Sequence, residues 1–199
     1  MTQQVFAQFG SQNIIDKSNA INPTGLITAD LNNDGFKDII ASQGFGGQVS
    51  YYLNQGDNTF GSGQVLTSVV FPWSSASGDF DNDGWQDIIS VSGTLNFSVS
   101  ELYMFPNTLG TFPTRITIDS ITGSGFVDMK IADIDNDKDE DLIVIADTSL
   151  LIFYNDGTGQ FTRSLIDPGL STENYALTLG DIDGDGYKEV IIGGVRTLI

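Results

Sequence analysis

Apolar residues come in short runs along this chain, at spacings too tight and too brief for a helix. Ile39-Ile40-Ala41, Ile88-Ile89-Ser90-Val91, Leu142-Ile143-Val144-Ile145-Ala146 and Val190-Ile191-Ile192 are mostly β-branched. Unbroken apolar runs of that length predict strands covered on both faces. Each run has a strand-like segment before it: Leu26–Ala29, Ser75–Gly78, Met129–Ala132 and Leu177–Gly180. These segments end in small residues, as if backbones crowd together there. A third segment follows in each repeat: Val49–Leu53, Glu101–Phe105, Leu150–Tyr154 and the terminal Val195–Ile199. Beyond it comes a turn rich in Asn, Gly and Asp, then a phenylalanine, as in Asn54–Phe60, Asn107–Phe112 and Asn155–Phe161. Such turns between apolar runs mark hairpins. A fourth segment follows, as in Arg163–Asp167. The pattern predicts an all-β chain built from four repeats of four antiparallel strands.

Between the first and second segments of each repeat lies an acidic loop. Asp79-Phe80-Asp81-Asn82-Asp83-Gly84-Trp85-Gln86-Asp87 is the clearest, with carboxylates at its positions 1, 3, 5 and 9. Gly84 at position 6 permits a sharp turn. The others are Asp30–Asp38, Asp133–Asp141 and Asp181–Glu189, and successive loops start 49, 54 and 48 residues apart. One such motif is a weak signal, whereas four at near-equal spacing indicate a repeat architecture. Oxygen donors arranged this way suit a hard cation, and calcium is the natural candidate because it accepts six to eight oxygens in loose geometry.

The ends of the chain extend the pattern. Gln8–Asp16 resembles Gln160–Asp167, a fourth strand, while the last repeat stops after its third. Joined end to end, Asp181 lies 48 residues before Asp30. The reading is one domain over residues 1–199: a four-bladed β-propeller of four-stranded antiparallel blades, the last blade completed by the N-terminal strand. Ring closure of this kind leaves no fully open sheet edge in that blade. A fragment of a larger ring, or two chains joined in an eight-bladed ring, are the alternatives.

Composition sharpens this reading. The 199 residues suffice for a substantial core. The net charge of −18 argues against nucleic-acid and anionic-membrane partners. It is concentrated: metal-ligand positions of the four loops hold 15 of the 26 acidic residues, which solubility alone explains poorly. Cysteine is absent, which excludes disulfides and thiolate metal sites. Histidine is absent too, which removes the commonest general base and zinc ligand. No apolar stretch approaches the ~20 residues of a membrane helix. Met1-Thr2-Gln3-Gln4 lacks the features of a signal peptide, so the chain is intracellular or its leader is absent from this sequence.

The loops resemble the calcium motif of FG-GAP repeats, also called VCBS repeats, which occur in integrin α-subunit propellers and microbial secreted proteins. Gly44-Phe45-Gly46-Gly47 is similar to the stretch that names the family. The resemblance implies a propeller with one Ca2+ per repeat, up to four, and an extracellular setting. By position, the first site would use Asp30, Asn32, Asp34, the Phe36 carbonyl and Asp38. The second would use Asp79, Asp81, Asp83, the Trp85 carbonyl and Asp87. The third would use Asp133, Asp135, Asp137, the Asp139 carbonyl and Asp141. The fourth would use Asp181, Asp183, Asp185, the Tyr187 carbonyl and Glu189. Lys138 replaces the turn glycine in the third loop, which predicts backbone strain. Neutral Asn32 predicts weaker binding in the first. An EF-hand is excluded on paper, because position 12 is Ala41, Ser90, Val144 or Ile192 where that motif requires Glu.

Partner binding is expected at the blade ends opposite the loops. Phe45, Phe71, Trp73, Asn96, Phe97, Glu173, Asn174 and Tyr175 fall there, and Phe45, Trp73, Phe97 and Tyr175 are the candidate ligand contacts. Pro72 and Ser74-Ser75 place Trp73 in a loop on this reading. Aromatics beside amides and carboxylates stack on and hydrogen-bond to sugars; packing between blades is the competing role. The functional reading is a calcium-stabilised binding module, monomeric or homodimeric, with a glycan or protein ligand. A purely structural unit and a propeller polysaccharide lyase are the alternatives. For the lyase, no nucleophile–base constellation is visible.

Overall fold

The computed structural model describes residues 14–16, 22–57, 59–68, 71–93, 98–146, 149–166, 174–186 and 188–194. Every regular element among them is a strand. The first sheet is β1 (Gly25–Ala29), β2 (Asp38–Gln43), β3 (Gln48–Tyr52) and β4 (Gln64–Ser68). The second is β5 (Pro72–Gly78), β6 (Asp87–Gly93), β7 (Val99–Phe105) and β8 (Ile116–Thr122). The third is β9 (Phe126–Ala132), β10 (Asp141–Ala146), β11 (Ser149–Asn155) and β12 (Phe161–Ile166). Each is an antiparallel meander whose spatial order equals its chain order. The fourth sheet contains β13 (Asn174–Gly180) and β14 (Glu189–Gly194). The expected third strand of that repeat, 195–199, and residues 8–13 of the expected closing strand lie outside the described residues. Residues 14–16 are not in a strand, and the Tyr52 hydroxyl donates to Asp16 Oδ2 at 3.1 Å.

The apolar runs are strands for the reason their pattern suggests. β6 and β10 are buried at every position, because each is a middle strand with a sheet against both faces. Alternate side chains therefore enter different cores. Ile89 and Val91 join Leu102, Met104, Phe126, Val144 and Phe153 between the second and third sheets. Ile88, Tyr103 and Phe105 turn the other way and meet Leu31, Ile40, Val49 and Tyr51 of the first. Ile143, Ile145 and Leu150 meet Leu177 of the fourth. A polar seam runs between the first two sheets. Ser42 Oγ lies 2.6 Å from Ser75 Oγ, which donates to Ser90 Oγ at 3.1 Å. Small hydroxyls that satisfy one another let the inner strands approach closely without orphaned polar groups.

The sheets stack in sequence: β1 and β2 on β5, β5 and β6 on β9, and β9 and β10 on β13. No substantial packing links β13 or β14 to β1–β4 among the described residues. The geometry is thus a propeller-like row of sheets.

The two-faced core makes a stability prediction. Leu102→Ala, at a fully buried position of the largest core, should cost about 2–5 kcal/mol in urea unfolding. Leu165→Ala, at a 62% exposed position on β12, should change stability by no more than about 0.5 kcal/mol. Equal effects at the two sites would contradict the assigned core.

Candidate metal centres

Each acidic loop is a tight coil of backbone amides closing on side-chain oxygens. The first aspartate caps the turn: Asp79 accepts from the amides of Asp83 at 3.0 Å and Gly84 at 2.9 Å. Asp30 does the same for Asp34 and Gly35. Asp133 accepts from Lys138, and Asp181 from Gly184 and Gly186. The third and fifth residues each accept from the amide two positions on, as Asp81 does from Asp83 and Asp83 from Trp85. Such local side-chain bonds are the reason Asp and Asn favour turns.

Two positions per loop have left-handed backbone. They are Asn33 and Gly35, Asn82 and Gly84, Asn136 and Lys138, and Gly184 and Gly186. Lys138, at φ 83°, adopts the conformation that glycine adopts in the other three loops. The strain expected from the sequence is present.

The turns bring carboxylates together. Oxygens of Asp79, Asp81 and Asp83 lie within 4.8 Å of one another, as do those of Asp133, Asp135 and Asp141, and of Asp181, Asp183 and Glu189. All donors are hard oxygens, and each triplet could hold a divalent ion. Asp87, Asp137 and Asp185 stand outside these triplets. In the first loop the Asn32 amide instead donates to Asp34 Oδ2 at 2.9 Å. The backbone of Phe36, Trp85 and Asp139 lies on the turn as expected, whereas Tyr187 is outside the described residues. Crowding has an electrostatic signature. Burial, then Asp83 and Asp79, raises the Asp81 pKa. Desolvation, then Asp137 and Asp141, raises that of Asp135. A cation among these groups would reverse that pressure.

The ninth residue has a further role. Asp38, Asp87 and Asp141 are completely buried. One oxygen of each accepts from the loop's second amide, at Leu31, Phe80 or Ile134. The other accepts from the amide of an asparagine at or just beyond the end of the third strand, at Asn54, Asn107 or Asn155. Burial raises the Asp38 pKa and pushes that of Asp87 up to about 7. A carboxylate offers about four lone-pair sites, so two amide bonds leave capacity for a metal.

Those asparagines were read in the sequence only as turn residues. Asn107 and Asn155 also join the sheets. Asn107 Nδ2 donates to Gln86 O of its own loop at 3.0 Å and to Leu31 O of the preceding sheet at 2.8 Å. Asn155 Nδ2 reaches Phe80 O at 2.8 Å. Loops are linked as well. Asn33 donates to Gly84 O, and Asn82 donates to Asp139 Oδ1 and Gly157 O. Glu140 comes back from the third loop beside Gly78, where a Cβ would collide with its carboxylate. Burial and then Asp79 raise its pKa. The recurrence of Asn at the end of each of the first three repeats' third strands was the available signal.

At the other end of the strands the candidate ligand residues separate. Phe45 is 62% exposed on the β2–β3 turn. Its ring meets Phe71 edge-on at 5.7 Å, and Phe71 stacks on Trp73 at 6.3 Å. Phe71 has φ 46°, a costly conformation for a bulky side chain. Trp73 is not in a loop: it is the second residue of β5, half-buried against the core between the second and third sheets. The proline before it is harmless because β5 is the edge strand of its sheet and Pro72 its first residue. Phe97, Asn96 and Glu173 lie outside the described residues, as do the side chains of Asn174 and Tyr175.

Two substitutions test the loop geometry. Lys138→Gly should relieve the left-handed backbone and stabilise the chain by about 1 kcal/mol, or roughly 2–4 °C in melting temperature. Gly78→Ala should destabilise by about 1–3 kcal/mol, and adding Glu140→Ala should recover part of that loss if the collision is its cause.

Comparison with known proteins agrees with this geometry. The FG-GAP-like repeat profile matches residues 30–90 and 133–192, each stretch running from the start of one acidic loop to beyond the next. No curated protein matches the chain. Among solved structures it is similar to an Agrocybe aegerita lectin described as recognising non-reducing terminal N-acetylglucosamine. The TM-score is 0.58 at 20% identity, over 83% of this chain and 45% of that one. It is also similar to BBS1N in complex with ARL6DN, with TM-score 0.57 at 14% identity, over 88% of this chain and 52% of that one. At those identities the likeness concerns the fold. The chain spans about half the length of these solved chains. With more than half of its residues matched by the family profile, the chain belongs to the FG-GAP-like repeat family.

Proposed function

We propose that the protein is an extracellular binding module, stabilised by calcium in its loops, that takes a glycan at the opposite end of its sheets; the role is recognition, not catalysis. The observation that carries the ligand reading is the Phe45–Phe71–Trp73 group. Three aromatic rings in contact, the outermost largely exposed, form a platform of the kind that stacks on a sugar face. Backbone strain at a bulky residue persists only where its surroundings enforce it, and such sites cluster at ligand contacts. Phe71 is held by the rings on either side and by its carbonyl, which accepts from Gly93 N at 3.3 Å. The similarity to a lectin supports the same reading and makes glycans ending in N-acetylglucosamine the first probes.

Calcium is the ion that the loops suit best, because the donors are carboxylates and carbonyls on flexible turns. Asp79, Asp81 and Asp83 would hold it in the second loop, Asp133, Asp135 and Asp141 in the third, and Asp181, Asp183 and Glu189 in the fourth. The bound ion would supply positive charge among carboxylates that otherwise repel, and so fix the hairpin bends.

Each site filled at 100 times its dissociation constant contributes about 2.7 kcal/mol. Chelation with EDTA should therefore lower the melting temperature by roughly 5–10 °C per site, with recovery on adding Ca2+. A melting curve indifferent to both would refute the calcium assignment. For the ligand, Phe45→Ala should reduce binding to a glycan array at least tenfold while melting stays unchanged. A glycan that binds the variant as tightly as the wild type would remove Phe45 from the site.

A further inference from the structure

The acidic loops touch one another, and the contacts between the second and third reach the backbone that carries the oxygen donors. Position 4 of the first three loops is an asparagine, Asn33, Asn82 or Asn136, with left-handed backbone at φ 56°, 58° and 64°. Asparagine adopts that conformation more readily than most residues with side chains. Asn33 and Asn82 each cross to the following loop. Asn33 Nδ2 donates to Gly84 O at 3.0 Å. Asn82 Nδ2 donates to Asp139 Oδ1 at 2.8 Å and to Gly157 O at 3.1 Å. Asp139 is position 7 of the third loop, and its own amide donates to Asp137 Oδ1 at 2.9 Å. It is thus gripped from both sides, by its own loop and by the second.

The third loop returns the contact. Glu140, at position 8, extends to the start of the second loop, where its carboxylate lies beside Gly78 and accepts from the Asp79 amide. Asp79 is the residue whose two oxygens cap that loop. The turn after β11 packs over the same junction. A Cβ at Gly157 would meet Asp139 Oδ2 and Asn82 Nδ2, and one at Gly159 would lie 3.6 Å from the Asp81 Cβ. Each loop therefore lends one side chain that fixes the backbone on which the other's donors sit.

We propose that Asn82 and Glu140 are positioning residues that couple the two loops, so that a cation held by Asp133, Asp135 and Asp141 strengthens cation binding by Asp79, Asp81 and Asp83, and the reverse. The proposal rests on the calcium reading of the loops. Its physical basis is order: an ion that fixes one loop also fixes the groups that the other loop would otherwise have to immobilise on binding. Linkage makes the effect equal in the two directions.

The chain carries its own reporter. Trp85 is in the second loop, and Trp73 is at the end of β5 away from the loops. Tb3+, bound in place of Ca2+, luminesces when tryptophan beside it is excited. Trp85 also approaches Asn32 of the first loop across Gly110, so the second loop's signal is the part that Asp81→Asn with Asp83→Asn abolishes. Ca2+ should displace it. Asp133→Asn with Asp135→Asn, which strips two carboxylates from the third loop, should raise the Tb3+ midpoint of the second loop roughly fivefold or more. In a chain carrying Asn82→Gly and Glu140→Ala, the same third-loop changes should leave the midpoint where it was. Glycine keeps the left-handed backbone at position 4, as Gly184 does in the fourth loop at φ 79°. Circular dichroism in Ca2+ should match the wild type throughout. Should the third-loop variant unfold, Asp139 carries the same test. Asp139→Ala should raise the second-loop midpoint, whereas Asp139→Asn, which keeps an acceptor for Asn82, should not. A midpoint unmoved by the third-loop changes, or equal for Asp139→Ala and Asp139→Asn, overturns the coupling and leaves the calcium reading standing. A shift that persists without Asn82 and Glu140 side chains overturns their assignment. Absence of any second-loop emission removes the calcium reading, and the proposal with it.

Discussion

A buried carboxylate at the end of each acidic loop ties the repeat together. Asp38, Asp87 and Asp141 each place one oxygen on an amide within the loop and the other on an amide at or just beyond the end of the third strand. Burying a charge is costly unless strong partners replace water. Here the partners are main-chain amides whose positions fix the loop against the sheet. The asparagine that supplies the second amide also reaches the preceding sheet in the second and third repeats. One side chain thus sets the loop, and its partner residue sets the spacing between sheets. In the fourth repeat Glu189 makes the loop half of this arrangement, accepting from Ile182 N at 2.7 Å.

Apolar packing does the rest, and it differs from one interface to the next. Between the second and third sheets a hydrophobic cluster fills most of the space, with Phe80 and Phe161 edge to face at 5.9 Å, and Ser74 Oγ donates across to Asp128 Oδ1 at 3.2 Å. Between the first and second, apolar residues share the space with the serine seam. The same topology therefore tolerates large and small residues at equivalent positions, provided that the sum fills the gap.

The strands were legible because two-sided burial leaves a distinctive record: a middle strand such as Leu142–Ala146 has no polar face to interrupt it. The acidic loops were legible because four turns at one period demand the same side chains. Trp73 was misread because proline and serines signal a turn, and only the sheet order reveals that β5 is an edge, where proline is harmless. Asn54, Asn107 and Asn155 were seen but understood as turn residues; the reach of Asn107 and Asn155 across sheets is a tertiary fact that spacing does not carry. Glu140 beside Gly78 is of the same kind. Closure of the ring was inferred from repeat length and from the likeness of Gln8–Asp16 to Gln160–Asp167, and neither says which surface a sheet will meet.

Four of the joints between repeats use a side-chain amide as donor and a main-chain carbonyl as acceptor, those of Leu31, Phe80, Gly84 and Gly157. A carbonyl is supplied by any amino acid. Loop residues on the accepting side are thereby free to diverge in evolution while the join survives, and a newly duplicated unit meets its neighbour with a usable socket from the outset.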